Sequence, residues 1–507
     1  MRASELFGDT GITLPEDVEI KGIACDSRRV REGYVFICHK GGRCDGHDFA
    51  SEAVKNGALL VIGEHAIDGV DGVIITDDTR RLESYLWYNF TSRPTDKMTR
   101  IAVTGTAGKT SVAFALRHIL RSCGHRVGLF STVGVYAGCE QLPVGENGGS
   151  SVSDISGAMT TPDPEYIFRS SEKMRELGCD TLVYEASSQA VAMGRLSALV
   201  PDVVIYTNLS NEHLDYHGTM EAYFEAKASL MERAEVAIIN SDDEWIAKIY
   251  GRFPKKRIIR VSADPARVND SDVCAVKYLS HGASGIEYVY HSDSVVVGLR
   301  SPLPGKYSVY NTMEAAACAM HLGCDPMSVK AALSDFCGAP GRLERVTFPR
   351  LKRECEDGGV PDVIIDYAHT PEAMKAVLAA VREVTRERLI VLFGCGGDRD
   401  RTKRPMMARA ALSSADHTII TSDNSRTEDP NRIIDDIMTG VDGEKSFTVI
   451  PDRRDAIKYA VNISDAGDVV LLLGKGHEKY EIDAAGKHPF DEAELVRAAM
   501  YEKFRRK

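Results

Sequence analysis

No apolar run in the 507 residues approaches the ~18 consecutive residues that a membrane-spanning helix requires. The N-terminus, MRASELFGD, also lacks the apolar core of a secretory signal. No CxxC pair and no Cys/His zinc spacing occurs among the 12 scattered cysteines. In a chain this long that pattern excludes a disulfide scaffold and implies reduced thiols. Excess positive charge is missing as well: 62 Lys+Arg against 74 Asp+Glu leave a formal net charge of −12. A surplus of acid disfavours nonspecific binding to nucleic acid or an anionic membrane, but leaves room for a local basic pocket. Low-complexity tracts and solenoid-period repeats are absent. What remains, 43% hydrophobic and 27% charged residues, is the composition of a folded globular protein. A soluble, cytoplasmic protein is expected, with no membrane insertion and no nucleic-acid partner.

At roughly 100–200 residues per domain, this length predicts two to four domains. Short strand-like runs (Tyr34–Cys38, Leu59–Ile62, Val73–Thr76) precede a polar, proline-containing segment, Thr91–Thr99, that reads as a linker. Strand Arg100–Thr104, a glycine-rich turn and helix Lys109–Ser122 follow. Strands Thr181–Tyr184, Val203–Tyr206 and Val236–Asn240 alternate with a helix over Thr219–Arg233. This alternation predicts a doubly wound, mostly parallel sheet. Val273–Leu299 has the pattern of antiparallel strands, and Asn311–Leu322 that of a small-residue helix. After a break at Gly338–Gly341 the alternation restarts: strand Val363–Asp366, helix Pro371–Val384, strand Leu389–Phe393, helix Thr402–Leu412 and strand His417–Thr421, then a helix from Pro430 and strand Val469–Leu473. The fold class is therefore α/β in three domains, cut at 1–97, 98–337 and 338–507. The Gly/Ser-rich stretch Gly145–Ser156 reads as a mobile loop.

The strongest chemical signal is Thr104-Gly105-Thr106-Ala107-Gly108-Lys109-Thr110-Ser111. Glycines let backbone N–H groups face phosphate oxygens, and the helix that follows adds its positive dipole end. Lys109 is placed to meet the terminal phosphates of a nucleotide and the Thr110 hydroxyl a Mg²⁺ ion. Only two residues separate Gly105 from Gly108, fewer than in the common phosphate-loop spacing. Two further ligand candidates follow strand ends on the same sheet edge: Glu185 in YEASS and His213 in TNLSNEHLDYHG. Alone, either residue reads as a solvated loop residue.

The chain resembles the Mur ligases, the ATP-dependent amino-acid ligases of peptidoglycan precursor synthesis. The resemblance rests on DSRRV (Asp26–Val30), GTAGKTS (Gly105–Ser111), TTPDP (Thr160–Pro164), EASS (Glu185–Ser188) and TNLSNEHLDYHGTMEAYFEAK (Thr207–Lys227). It continues through GRLERV (Gly341–Val346), DYAHTP (Asp366–Pro371), FGCGGDRDRTKRP (Phe393–Pro405), DNSRTEDP (Asp423–Pro430) and GKGHE (Gly474–Glu478). It implies a central ATPase domain between an N-terminal UDP-binding domain and a C-terminal Rossmann-like domain that takes the amino acid. It also implies an acyl-phosphate route in which ATP activates a substrate carboxylate and an incoming amine displaces phosphate. Within the family the motifs are similar to those of members that add the third stem-peptide residue to UDP-MurNAc-L-Ala-D-Glu.

By that resemblance, Lys109, Glu185, His213 and Lys227 are catalytic, and Thr110, Glu185, His213 and Lys227 hold Mg²⁺. Lys227, at the end of YFEAK, matches the family's N6-carboxylysine; from residue type alone it reads as a helix-surface lysine. ATP is assigned to Gly105, Thr106, Ala107, Gly108, Lys109, Thr110 and Ser111, with Asn311, Arg342, Asp366 and His369. A helix-capping Asn311 is the bland alternative. The nucleotide-sugar substrate is assigned to Ser27, Gly42, Arg43 and Cys44, and its muramoyl-dipeptide part to Thr160, Thr161, Ser187 and Arg195. Here the chain departs from the family, with Gly42-Arg43-Cys44 replacing a histidine-containing run and Met193 replacing a frequent Gln. Arg399, Asp423, Asn424, Ser425, Arg426, Gly474 and Glu478 form the amino-acid pocket. Asp423-Asn424-Ser425-Arg426 resembles the DNPR motif of enzymes adding meso-diaminopimelate, with Ser425 replacing the usual proline. An arginine fork suits the distal carboxylate of that diamino acid, whereas it would repel the ammonium of lysine. L-Lysine, another diamino acid or a different acceptor remain alternatives. A monomer is expected. Other readings are a folylpolyglutamate-type ligase, a motor or signalling NTPase, and a catalytically dead binding protein.

Overall fold

The computed structural model describes residues 1–14, 16–41, 44–142, 160–348, 351, 359–443 and 446–505. The loop expected at Gly145–Ser156 lies outside them. The chain forms two compact units: Met1–Val261 with Glu314–Cys324, and Ser262–Met313 with Asp325–Lys507.

The first unit begins with four parallel strands, Gly22–Ala24, Tyr34–Ile37, Ala58–Gly63 and Ile74–Ile75. Trp87, buried in helix Thr79–Phe90, packs with Leu6, Phe7 and Leu86. Thr91–Thr99, expected as a linker, is instead a packed turn in which Thr91 and Thr95 are buried and Thr91 Oγ1 donates to the Trp87 carbonyl at 2.8 Å.

The main sheet of this unit has strand Thr99–Thr104 at its centre. Val203–Tyr206 lies on one side of it and Thr181–Glu185 on the other, both parallel. Val236–Asn240 and Arg257–Ser262 extend the first side, while Val127–Ser131 and two antiparallel edge strands, Gly134–Ala137 and Glu140–Leu142, extend the other. Val127–Ser131, Thr181–Glu185, Val203–Tyr206 and Val236–Asn240 are buried at every position, which is what helices on both faces of a parallel sheet demand. The chain reverses direction around Thr99–Thr104, and ligand sites in such sheets gather at the carboxyl ends beside that switch. The helix expected over Thr219–Arg233 is two pieces, Met220–Ala228 and Leu230–Arg233. At the break the Ser229 hydroxyl turns back onto the Ala226 carbonyl at 2.9 Å, a bond that competes with the helical ladder.

The second unit contains an antiparallel meander, Val273–Ser280, Ile286–Ser292 and Val296–Ser301. Its main sheet runs Glu344–Arg345, Asp362–Asp366, Val469–Leu473, Leu389–Phe393, His417–Ile420 and Phe447–Val449, all parallel except the first. The helix predicted from Asn311 starts earlier, as Lys306–His321, so Asn311 is not its cap. Among the described residues no helix is long and apolar enough to cross a membrane.

One buried ion pair ties the strand ends of the second sheet together. Arg453, in helix Arg453–Ile463, bonds Glu492 through Nε at 2.7 Å, the Ser422 carbonyl at 3.2 Å and the Leu473 carbonyl at 2.9 Å. Both side chains are almost completely buried. Breaking such a pair strands a charge in the interior. Glu492→Ala should therefore lower the unfolding free energy by about 3–5 kcal/mol, while replacing both partners (Arg453→Met with Glu492→Leu) should cost distinctly less. Urea unfolding of the two variants measures the difference; equal losses would refute the stranded-charge account.

Candidate active site

The first constellation is built on the turn after strand Thr99–Thr104. Gly105 has φ +148, and a Cβ there would lie 1.9 Å from Thr207 Oγ1, so only glycine lets the turn pass strand Val203–Tyr206 this closely. Asn208 then holds the turn: its carbonyl accepts from Thr106 N at 2.8 Å and its Oδ1 from Ala107 N at 2.9 Å. Gly108 precedes helix Lys109–Ser122. The Lys109 ammonium curls over the turn, donating to the Gly105 and Thr106 carbonyls at 2.9 and 2.8 Å. Ser111 is half-buried in the first helical turn.

Glu185 is not a solvated loop residue: it is the last residue of its strand and 1% exposed. Thr110 Oγ1 donates to Glu185 Oε2 at 3.1 Å, and Thr132 supplies its N–H at 3.0 Å and its hydroxyl at 3.2 Å. The residues assigned to the muramoyl-dipeptide gather around the same carboxylate. The Thr160 hydroxyl lies 3.1 Å from Thr132 Oγ1, and Thr161 Oγ1 donates to the Glu185 carbonyl at 2.8 Å. Ser187 N donates to Thr161 Oγ1 at 3.0 Å, while Arg195 reaches the Thr161 carbonyl at 3.1 Å and Asp163 at 3.3 Å. The hydroxyl and carboxylate oxygens of Thr110 and Glu185 are a hard donor pair of the kind Mg²⁺ takes, so these residues fit that ion.

Lys227 is not on a helix surface either. It is 2% exposed, donates to the Gly105 carbonyl at 2.9 Å and lies 4.8 Å from the centre of the Tyr223 ring. Burial, and after it the charge of Lys109, hold its pKa well below the ordinary lysine value. His213 is exposed, has φ +58 and starts helix Leu214–His217. It meets the edge of the Tyr223 ring at 6.1 Å between centroids, so His213 and Lys227 flank one tyrosine. Tyr223, whose hydroxyl lies 3.0 Å from Thr106 Oγ1, went unassigned in the sequence although it opens YFEAK.

The nucleotide-sugar assignments separate. Ser27 is buried, with its hydroxyl donating to Glu52 at 2.7 Å. Cys44 is exposed, with its carbonyl accepting from Gly41 N at 3.0 Å. Gly42 and Arg43 lie outside the described residues.

The remaining residues belong to the second unit. Asn311 is half-buried within helix Lys306–His321. Asp366 ends its strand and accepts from the N–H groups of Leu343 and Ala368, both at 2.8 Å; burial raises its pKa despite the charge of Arg342. The Arg342 guanidinium lies 5.0 Å from the centre of the Tyr367 ring, and His369 packs edge-on against the same ring.

A cavity of about 370 Å³ opens at the carboxyl ends of the second sheet, a size typical of small-molecule sites. Arg399, Asp423, Asn424, Arg426, Gly474 and Glu478 all line it. Gly474 has φ +113, and a Cβ there would sit 2.5 Å from Asp423 Oδ2. Asn424 Nδ2 donates to Glu478 Oε2 at 2.7 Å. Arg426 uses Nη1 on the carbonyls of Gly397 and Asn424, at 2.9 and 3.3 Å. Among the described residues its Nε and Nη2 have no protein acceptor, which leaves two parallel donors on one edge of the guanidinium. The charges of Lys475 and Arg453 outweigh burial and hold Asp423 below the usual carboxylate range, whereas burial, with Asp423 nearby, raises Glu478. The cavity thus carries anionic and cationic groups together. Tyr367, Lys403 and Met407 also line it. Lys403 lies inside the TKRP stretch, and only the fold shows that it faces the cavity.

Residues 19–84 match the model described as Mur ligase family, catalytic domain, 103–319 the Mur ligase middle domain, and 349–476 the Mur ligase, glutamate ligase domain. A Bacillus cereus protein named UDP-N-acetylmuramoyl-L-alanyl-D-glutamate--2,6-diaminopimelate ligase is 36% identical over 503 residues, covering 97% of this chain and 96% of its own. A Syntrophomonas wolfei protein of the same name is 37% identical over 518 residues, covering 99% and 100%. A solved structure bearing that name has a TM-score of 0.71 at 30% identity and covers 99% of both chains. Relatives this similar along their full length establish that the chain belongs to the Mur ligase family of ATP-dependent amide ligases.

Proposed function

We propose that the protein ligates meso-diaminopimelate to the terminal carboxylate of UDP-MurNAc-L-Ala-D-Glu in peptidoglycan precursor synthesis, acting in the cytoplasm as a monomer. The observation that carries this reading is the cavity that Arg426, Asp423 and Glu478 line together. A diamino dicarboxylic acid presents the matching charges: a distal carboxylate for the Arg426 fork and an ammonium for Glu478. The names of the full-length relatives support it. A parallel ligation assay with meso-diaminopimelate, L-lysine and L-ornithine tests it, with strong preference for the first expected.

In this mechanism the substrate carboxylate attacks the terminal phosphorus of ATP, and ADP departs. The amine then attacks the acyl carbon, loses a proton, and phosphate leaves. The loop N–H groups and Lys109 hold the β,γ-phosphates, whose charge grows on the leaving oxygen. Thr110 and Glu185 would hold Mg²⁺, with His213 and Lys227 as its further ligands. The ion, when bound, supplies further charge neutralisation at the phosphates. Asn311, Arg342, Asp366 and His369 serve the nucleotide, and Ser27, Cys44, Thr160, Thr161, Ser187 and Arg195 the nucleotide-sugar peptide. Lys227 is N6-carboxylysine in this reading. Its burial and depressed pKa favour the neutral amine, whose nitrogen attacks CO₂ and releases a proton to give an anionic carbamate.

Lys109→Ala removes a cation from the phosphates and should lower turnover by roughly 10²–10³-fold, measured as ADP release that requires both other substrates. Lys227→Ala should be nearly inactive and regain part of its rate with added short carboxylic acids. Carbon-13 bicarbonate should label a carbamate in the wild-type protein and not in this variant; an unmodified Lys227 in fully active enzyme would refute the carbamate.

Specificity yields the sharpest test. Each charge-assisted bond from Arg426 contributes roughly 1.5–3 kcal/mol, and a site built for a missing polar group can discriminate by up to about 10⁴-fold. Arg426→Ala should therefore weaken meso-diaminopimelate use far more than lysine use, and Arg426→Lys should not restore the planar fork. Ser425→Pro should be mild, because among the described residues the Ser425 N–H donates to no acceptor. Unchanged preference in Arg426→Ala would overturn the pocket assignment while leaving the ligase chemistry intact.

A further inference from the structure

Behind the wall of the amino-acid cavity lies Lys475, which does not line it. Its side chain is 0% exposed. Flanking glycines with positive φ, Gly474 and Gly476, turn the backbone so that the ammonium points into the body of the unit. There it donates to Asn424 Oδ1 at 3.0 Å and to the Tyr480 carbonyl at 3.2 Å, and lies 3.3 Å from Asp423 Oδ1.

These contacts decide how Asn424 presents its amide. Two donors converge on its Oδ1: the Lys475 ammonium and the Ile482 N–H, the latter at 2.9 Å. Neither can bond an NH₂ group, so the oxygen faces inward and Nδ2 faces Glu478. The flipped amide would set a carbonyl against the Glu478 carboxylate. Lys475 also neutralises Asp423, whose carboxylate is buried beside the same loop.

We infer that Lys475 is a positioning residue for the diamino-acid site: it acts through Asn424 to hold the Glu478 carboxylate toward the amine-bearing end of the incoming amino acid. This inference rests on the amino-acid pocket proposed above. It makes Lys475 a determinant of amino-acid affinity rather than of phosphoryl transfer, although it touches neither substrate nor nucleotide.

The test compares steady-state kinetics of the full-length enzyme as wild type, Lys475→Gln, Lys475→Met, Glu478→Gln and the double variant Lys475→Gln/Glu478→Gln. Lys475→Met should raise the KM for meso-diaminopimelate by about tenfold to a hundredfold, the loss expected for one charge-assisted bond. The KM values for ATP and the nucleotide-sugar peptide should stay within about twofold, and kcat should fall less than the amino-acid KM rises. Lys475→Gln keeps a donor for Asn424 Oδ1 and should lie between Met and wild type. It also serves as the readout if Lys475→Met does not fold. Because the route runs through Glu478, the double variant should be little worse than Glu478→Gln alone. Additive effects in the double variant, equal KM increases for all three substrates, or an unchanged amino-acid KM would overturn the proposal. A wild-type enzyme that prefers another amino acid would instead overturn the substrate reading. The same non-additivity, measured with the preferred amino acid, then decides on Lys475 by itself.

Discussion

An ammonium sealed from water is costly unless acceptors or an anion face it. Among the described residues two lysines are sealed in this way, each at the carboxyl edge of a parallel sheet, and their surroundings resolve them in opposite ways. Lys475 meets Asp423, Asn424 and a carbonyl, so its charge is compensated within the protein. Lys227 meets the Gly105 carbonyl and a tyrosine face, with the cationic Lys109 nearby. The first arrangement fixes a pocket wall. The second destabilises the ammonium and favours the neutral amine. The close passage of Gly105 sets its carbonyl 2.9 Å from the Lys227 nitrogen, and Gly474 leaves room for the Asp423 carboxylate that faces Lys475.

Both sheets reach their chemistry by one route. A parallel sheet covered on both faces is buried along its strands, so polar side chains collect where strands end. Glu185, Asp366 and Asp423 all lie at or just after such ends, following buried apolar residues of their strands. Burial pushes the carboxyls of Asp423 and Asp366 the same way, and the neighbouring charges decide the net direction. Asp423 remains anionic because Lys475 and Arg453 face it, whereas Asp366 is raised by desolvation despite Arg342.

Much of this was legible in the sequence, since apolar runs of four or five residues between helical patterns fix strand positions. Val203–Tyr206, Leu389–Phe393, Val469–Leu473, helix Lys109–Ser122 and helix Pro371–Val384 fall where periodicity places them. Local hydrogen bonding was less legible. The hydroxyl of Ser229 breaks a helix whose hydrophobic pattern runs on, and Lys306–His321 starts before its small-residue face begins. Burial of charge was illegible from composition alone. Lys227 reads as a surface residue by type, and only its YFEAK context argued otherwise. Tyr223 shows the same limit, because its ring neighbours His213, His217 and Lys227 are brought to it by tertiary packing.

The motif GKGHE illustrates how a short string divides its labour. Glu478 faces the cavity, Gly474 makes room for Asp423, and Lys475 lies behind the wall against Asp423 and Asn424. Asn424 in turn belongs to the DNSR segment, whose Arg426 forms another part of the same wall. Two strings 51 residues apart at Asn424 and Lys475 therefore form one hydrogen-bonded unit. Ser425 occupies the one position of its segment where neither the N–H nor a charge takes part in this bonding. Asp423, Asn424 and Arg426 around it carry the charges and donors of that wall.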